Sequence, residues 1–306
     1  MGLKLSGNYE IIEVIDGDTV KVKLDGSLTN LRTPCTDTEE TKNSKPLKPV
    51  TRFGAKTVEW ARKWFRDRGN RAELEYEADY KIIDFFNRPL TYVMAENENY
   101  NLEAVRWGYS PYFQKYGYAR GYHDAFLEAE REAMLEGRGI WDDATHAGDA
   151  TRPYHLLKMW WEVRARYIQA GRDEKRDNKR LIFLPDGLDY EEAMVAARSE
   201  EERVVFGEIS NIRGAGSGTA IELSVKLQKY FYLYVFENNP RHDKIINYLR
   251  IRHLGDPSDI PNGLMKQNFV FVKGVFKLYN GQPEIIVNDV DQIKEEPFYP
   301  LQKDKS

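Results

Sequence analysis

A single cysteine, Cys35, stands in a chain of 306 residues, so neither an intramolecular disulfide nor a cysteine-based metal cluster can form. Histidine is also scarce: His123, His146, His155, His242 and His253 are scattered without ligand spacing, which argues against zinc. Oxygen is what remains to bind a metal, and a hard cation suits that inventory. No apolar run is long enough to span a bilayer, so no membrane partner is expected. No haem or nucleotide cofactor is expected either, and no long low-complexity segment is present. Residues 1–7 do not read as a secretory signal. The compartment expected is cytoplasmic if the chain is full length, and outside the cell if a leader has been removed. Strong charge of one sign is missing too: the net charge is -4, so any contact with nucleic acid needs a local basic groove rather than a basic body.

A composition of 41% hydrophobic and 31% charged residues describes a globular chain, long enough for two modest cores. The stretch from Glu13 to Lys42 organises its first half. An alternating strand is interrupted by Asp16-Gly17-Asp18, resumes, turns at Asp25-Gly26, and returns with Arg32 and the acids Asp37, Glu39 and Glu40. Asp-Gly between two alternating runs is a strong hairpin signal. Folded so, Asp18, Arg32, Asp37 and Glu40 can converge at one end of a small sheet, an arrangement suited to metal-assisted attack on a phosphodiester. The same residues also read as ordinary turn chemistry on a solvated face.

Strand patterns occupy 9–15, 20–24, 28–33, 71–80 and 90–94. Residues 36–49 read as an exposed loop and 51–68 as an amphipathic helix with Phe53, Val58, Ala61, Trp64 and Phe65 on one side. Short helices are expected at 101–107 and 124–136, with Trp107 and Trp141 in the core. Five strands with inserted helices describe a small barrel of the oligonucleotide-binding type. Residues 146–152 look like a linker, 153–169 a helix, 172–180 a charged loop or solvated face, and 190–202 a second helix. Strands return at 204–212, 220–227, 230–236, 269–278 and 284–287, with a helix over 241–253, an order that suits a second five-stranded barrel.

Residues 9–141 resemble the staphylococcal nuclease (thermonuclease) family. The resemblance rests on Ile15-Asp16-Gly17-Asp18-Thr19-Val20, Arg32 with Asp37-Thr38 and Glu40-Thr41, Phe53-Gly54-Ala55, and Asp84 to Arg88. It continues through Asn101-Leu102-Glu103-Ala104-Val105-Arg106-Trp107-Gly108 and Gly139-Ile140-Trp141. The resemblance implies that Asp18, Asp37 and the Thr38 carbonyl ligate Ca2+, that Arg32 and Arg88 hold the scissile phosphate, and that Glu40 is the general base. Asp16 matches a nearby acid that does not ligate directly. Phe85 and Phe86 flank Arg88, and Tyr112, Phe113 and Tyr116 lie in the loop where the family stacks nucleotide; the same rings also read as core or loop packing. Two departures stand out: Glu39 replaces the proline of the usual Asp-Thr-Pro-Glu, where it can compete with Glu40, and Pro34-Cys35 replaces plain apolar strand residues.

The fold class expected is α+β, mainly β: a nuclease-type barrel over 1–148, a helical connector over 149–202, and a second oligonucleotide-binding-type barrel over 203–300. The second resembles the anticodon-binding class, chiefly in Phe271-Val272-Lys273-Gly274-Val275 and Tyr279-Asn280-Gly281-Gln282-Pro283-Glu284-Ile285. Tyr232, Lys273 and Tyr279, with Lys226, Lys229, Tyr230, Tyr234 and Lys277, are its candidate basic, aromatic face. The resemblance implies a Ca2+-dependent endonuclease acting on single-stranded DNA, RNA or both and leaving 3′-phosphate ends. The alternatives are a non-cutting scaffold that binds nucleic acid or protein, and a second barrel that serves to recruit the first to a complex.

Overall fold

A computed structural model describes residues 2–42, 48–78, 82–84, 86–146, 152–225, 229–254 and 268–298. The chain divides into two compact units, Met1–Trp161 and Glu162–Ser306.

The first unit begins with β1 (Lys4–Asp16), β2 (Thr19–Leu24) and β3 (Ser27–Arg32). Asp25 and Gly26 both take positive φ (51° and 80°), the turn whose twist suits a two-residue hairpin. Helix α1 (Arg52–Arg66) follows, then β4 (Arg71–Tyr76), β5 (Thr91–Ala95), β6 (Glu98–Asn99), α2 (Tyr100–Arg106) and α3 (His123–Leu135). The strands lie in the order β3-β2-β1-β4-β5-β6. A parallel bridge from Arg32 to Leu90, with the Arg32 N–H donating to the Pro89 carbonyl at 2.9 Å, joins β3 to the start of β5 and closes a five-strand barrel. β1 is long enough to serve two neighbours: its first half pairs with β4 and its second with β2, and register shifts along it bend the strand. Inside, Val20, Val22 and Leu31 meet Val58, Ala61, Trp64 and Phe65 of α1. Phe53, from the same helix, packs instead with Ile140 and Tyr154.

Two expectations are corrected here. Residues Thr36 to Glu39, expected in an exposed loop, are buried. Trp107, expected in the core, is 49% exposed. Helix α2 ends at Arg106, before Trp107 can join the buried Tyr100–Ala104 side, and its ring lies instead under the Arg138 guanidinium with its N–H donating to Glu103.

The division between the units falls within α4 (Tyr154–Asp177), which takes up most of the charge run expected as a loop or solvated face. The second unit continues with β7 (Ile182–Phe183), α5 (Tyr190–Arg198), β8 (Glu202–Ala215), β9 (Gly218–Ser224), β10 (Tyr230–Phe236) and α6 (His242–Leu249). It ends with β11 (Phe269–Tyr279), β12 (Gln282–Ile286) and β13 (Ile293–Lys294). Helix α5 is shorter than its sequence pattern because Glu202 already belongs to β8. β11 pairs with β8 as well as β12, so β8-β9-β10-β12-β11 closes on itself, with β10 and β12 parallel. The first barrel has the same ring order, β1-β2-β3-β5-β4, with β3 and β5 meeting in parallel. The second core takes Phe231, Leu233 and Val235 from the inward side of β10, the alanines of α5, and Ile245, Ile246 and Leu249 of α6. Among the described residues, no helix is long and apolar enough to cross a membrane.

Gly108 ends α2 at φ 70°, and a Cβ there would lie 2.1 Å from the Arg138 carbonyl oxygen. Backbone strain alone costs an ordinary residue about 1–3 kcal/mol in such a position, and the clash adds to it. Gly108→Ala is therefore expected to lower unfolding free energy by about 2 kcal/mol or more in urea titrations. An unchanged midpoint would show that the Gly108–Arg138 contact is not needed.

Candidate active site

The site is assembled where β1 turns into β2. A Cβ on Gly17 would lie 2.4 Å from the Thr57 methyl and 2.8 Å from that of Thr38, so only glycine lets the Asp16-Gly17-Asp18 turn sit this close to its neighbours. The Tyr100 hydroxyl donates to the Gly17 carbonyl at 2.6 Å and fixes the turn from below. The Asp18 side chain accepts the Thr38 N–H at 3.1 Å and the Thr19 hydroxyl at 3.0 Å. Its main-chain carbonyl accepts from the N–H and hydroxyl of Thr33 and from Arg32.

Arg32 is held by carbonyls on both sides of the chain reversal: Nη1 donates to Asp18 and Thr33, and Nη2 to Thr36 at 2.7 Å. Nη2 also lies 3.2 Å from Asp18 and 3.6 Å from Asp37. Arg88 is positioned by Asp84, which accepts from the Arg88 Nε at 2.7 Å and from the Arg88 and Phe86 N–H groups. Its Nη1 reaches the Thr19 hydroxyl at 3.4 Å, and Thr19 in turn donates to Asp18. The bridge that closes the barrel thus brings both arginines to the Asp18-Thr19 corner.

The turn Asp37–Glu40 is tied in from several directions. The Asp37 N–H donates to the Ser110 hydroxyl at 2.8 Å. Glu40 bridges to Val50, and Gly54 of α1 lies so near that a Cβ would be 2.3 Å from the Glu40 carbonyl oxygen. Just before it, Cys35 takes φ 61°, and Asn101 spans from the Pro34 carbonyl to the Val93 N–H. Pro34-Cys35 is thus a sharp, pinned corner.

Cations that the sequence reading did not single out face these acids. The Lys48 amino group lies 2.8 Å from Asp37, 3.1 Å from Glu40 and 3.9 Å from Asp18. Arg152 reaches the other Asp37 oxygen at 2.7 Å. Burial pushes the Asp37 carboxyl up, but the charges of Lys48, Arg152 and Arg32 outweigh it and hold Asp37 well below the usual carboxylate range. Burial lowers Lys48, while Asp37 and Asp18 raise it further, so it stays charged. Burial, followed by the charges of Asp18 and Glu40, pushes Asp16 up to about 7. Glu39 is fully buried and accepts a hydrogen bond from the Tyr154 hydroxyl. Lys48 lay in the segment read as an exposed loop, and Arg152 at the end of that read as a linker. Only their charge marked them, and surface lysines and arginines share that.

The residues fit a hard cation in two respects: Asp18, Asp37 and Glu40 offer oxygen alone, and together they already gather one positive group, the Lys48 ammonium. Among the described residues, no histidine, cysteine or acid cluster forms a ready metal cage.

The other candidates are dispersed. Phe86 is exposed, with the Arg88 guanidinium 5.3 Å from its ring; Phe85 lies outside the described residues, as does Lys226. Tyr112 is fully buried and stacks on Phe126, so its ring is spent on the core. Phe113 packs edge-on against Trp161, and Tyr116 is exposed. In the second unit, Tyr232 lies between Glu222 and Glu284 on the neighbouring strands. Lys273 faces Val204 of β8 and pairs with Glu202 at 3.5 Å, so it does not adjoin Tyr232. Tyr279 is exposed at the end of β11.

Residues 27–143 match the family model for staphylococcal nuclease homologues. The thermonuclease of Staphylococcus hyicus is 31% identical over 136 residues, which cover 44% of this chain and 76% of that protein. The chain belongs to the staphylococcal nuclease family. The Staphylococcus intermedius thermonuclease is 30% identical over 135 residues, with the same coverage of both chains. An uncharacterised protein of Methanocaldococcus jannaschii is 31% identical over 157 residues, 44% of this chain and 70% of that one. The likeness to the staphylococcal nuclease family lies in the first unit, where Asp18, Arg32, Asp37, Thr38, Glu40 and Arg88 are gathered.

Breaking a buried ion pair by removing one partner typically costs about 3–5 kcal/mol. Lys48→Met, measured by urea unfolding at pH 7 with chelator, is expected to lose about 3 kcal/mol. No loss would mean that the three carboxylates do not need the ammonium.

Proposed function

We propose that this chain is a Ca2+-dependent nuclease that cuts single-stranded DNA, RNA or both within the strand and leaves 3′-phosphate ends. The observation that carries this reading is the convergence of Asp18, Asp37, Glu40, Arg32 and Arg88 on one corner of a nuclease-family barrel. Asp18, Asp37 and the Thr38 carbonyl would hold calcium. Bound there, calcium would polarise a phosphoryl oxygen and offset the charge that builds up as the phosphorus is attacked.

The remaining work falls to the chain's own groups. Arg32 and Arg88 present planar, permanently charged forks that match phosphate oxygens, and the carbonyls and Asp84 that hold them fix their direction in advance. Glu40 takes the proton from the attacking water. A carboxylate is a weak base, so its placement by Gly54 and Val50 matters more than its intrinsic strength. Phe86, beside Arg88, and Tyr116 offer exposed rings for stacking unpaired bases.

The second barrel would hold the strand, as oligonucleotide-binding barrels do. What supports this is β10, whose outward residues Tyr230, Tyr232, Tyr234 and Phe236 form an aromatic row. Tyr230 and Tyr232 are 6.1 Å apart, and Tyr234 and Phe236 4.9 Å. Opposite three of these rings on β9 stand the small residues Ser224, Ala220 and Gly218. Stacking on such a row tolerates any sequence.

One observation favours a second reading, a scaffold that binds without cutting: both Asp37 oxygens are engaged by Lys48 and Arg152. Cleavage of labelled single-stranded DNA and RNA with calcium, magnesium or chelator separates the two. Calcium-dependent cutting is expected, with Arg32→Ala and Glu40→Gln each slowing it by about 10²- to 10³-fold. Absence of cutting by the wild type under every metal would overturn the nuclease reading. In the full chain, Tyr232→Ala with Tyr234→Ala is expected to weaken single-strand binding by about 1–3 kcal/mol per base unstacked. Unchanged affinity would remove the strand-holding role.

A further inference from the structure

The site turn is gripped from a part of the chain that the family match does not reach. The match ends at residue 143. Beyond it, Arg152 Nη1 lies 2.7 Å from Asp37 Oδ2, and the Tyr154 hydroxyl donates to Glu39 Oε1. Asp37 and Glu39 flank Thr38 and precede Glu40, so one short segment holds two carboxylates of the same turn.

This grip is buried on both sides. The Arg152 side chain is 8% exposed, with its guanidinium 5.4 Å from the Tyr154 ring and 5.8 Å from that of Trp161. Tyr154 is itself anchored among Phe53 and Ile140, with Trp141 beside it. Glu39 is wholly buried, and its second oxygen has no hydrogen-bond partner among the described residues. A buried carboxylate left without a donor is costly, so the Tyr154 hydroxyl is what makes Glu39 tolerable there. The donor also explains what Glu39 does in place of proline. It faces Tyr154 and is sequestered from solvent, so it does not stand beside Glu40 as a rival base.

We propose that Arg152 and Tyr154 are positioning residues of the nuclease site, clamping Asp37 and Glu39 so that the turn bearing Glu40 keeps a single geometry. They supply from outside the turn the stiffness that a proline at position 39 would supply from within. The catalytic part of this inference rests on the nuclease reading above; the clamp itself does not.

The test uses the full chain with two readouts, steady-state cleavage of single-stranded DNA in calcium and amide hydrogen exchange of the peptide spanning residues 36–42 in chelator. Tyr154→Phe and Arg152→Gln are expected to speed exchange of that peptide about tenfold or more, while peptides of the second unit keep their rates. Both are expected to lower kcat by about ten- to a hundredfold with KM little changed, because a small misplacement of a catalytic group is costly. Arg152→Lys, which keeps the charge, is expected to recover part of the loss. The decisive variant is Glu39→Pro combined with Tyr154→Phe, which removes the buried carboxylate and restores the proline. It is expected to return both exchange and kcat toward wild type, and it also guards against Tyr154→Phe merely failing to fold. Unchanged exchange in the single variants, or no recovery in the double one, overturns the clamp. If the wild type cuts nothing while the exchange pattern holds, the clamp stands and the nuclease reading alone falls.

Discussion

Burying the polar run from Thr36 to Glu39 is the constraint on which the first unit depends. Four consecutive residues, two of them acids, are almost wholly removed from water. Each buried polar group needs a partner, and each buried charge needs both a countercharge and hydrogen bonds. The partners come from every direction: Arg32 from β3, Asp18 from the turn between β1 and β2, Ser110 from the loop after α2, and Arg152 and Tyr154 from just before α4 and its first residue. Gly54 contributes by having no side chain, which lets α1 approach the Glu40 backbone. The barrel itself, the docking of α1 and the first turn of α4 thus answer to one tetrapeptide.

The electrostatics follow from the same burial. Asp37 is held ionised by three cations, whereas Asp16, on the turn that carries Asp18, is pushed up to about 7 by burial and by its acidic neighbours. Two aspartates in one corner are driven apart because one faces cations and the other faces acids. A divalent ion added at this corner would strengthen the first tendency and relieve the second.

Much of this was legible in the sequence. The alternation of β2, the Asp25-Gly26 turn and the buried side of α1 all follow from periodicity and turn chemistry, and the ring of the first barrel from strand count and order. That Asp18, Arg32, Asp37 and Glu40 lie together was legible from the hairpin, and that Arg88 joins them from the resemblance to the nuclease family. Lys48 and Arg152 were not legible, because a charge in a turn-rich stretch looks the same whether it points to water or to a buried carboxylate. Tyr112 and Trp107 show the converse. An aromatic in a loop can be fully buried, as Tyr112 is against Phe126, and one at the end of a helical pattern can be expelled when the helix stops a residue early. What decides each case is a partner far away in sequence, which local pattern does not encode.

The two barrels make a last point about where chemistry sits on a fold. Both close in the same strand order, with the third and fifth strands meeting in parallel. In the first, that parallel meeting draws the ends of two strands together, so charged groups from Arg32 and Arg88 collect at the barrel's end. In the second, β10 is paired along its whole length with β9 and over Tyr232 to Tyr234 with β12, and its alternate residues Tyr230, Tyr232, Tyr234 and Phe236 turn their rings outward in two contacting pairs. A convergence of strand ends concentrates charge on one point, as bond cleavage requires. A paired strand face spreads aromatic surface along a line. The ring is shared; what differs between the two is which part of it the sequence loads with charge and which with aromatic rings.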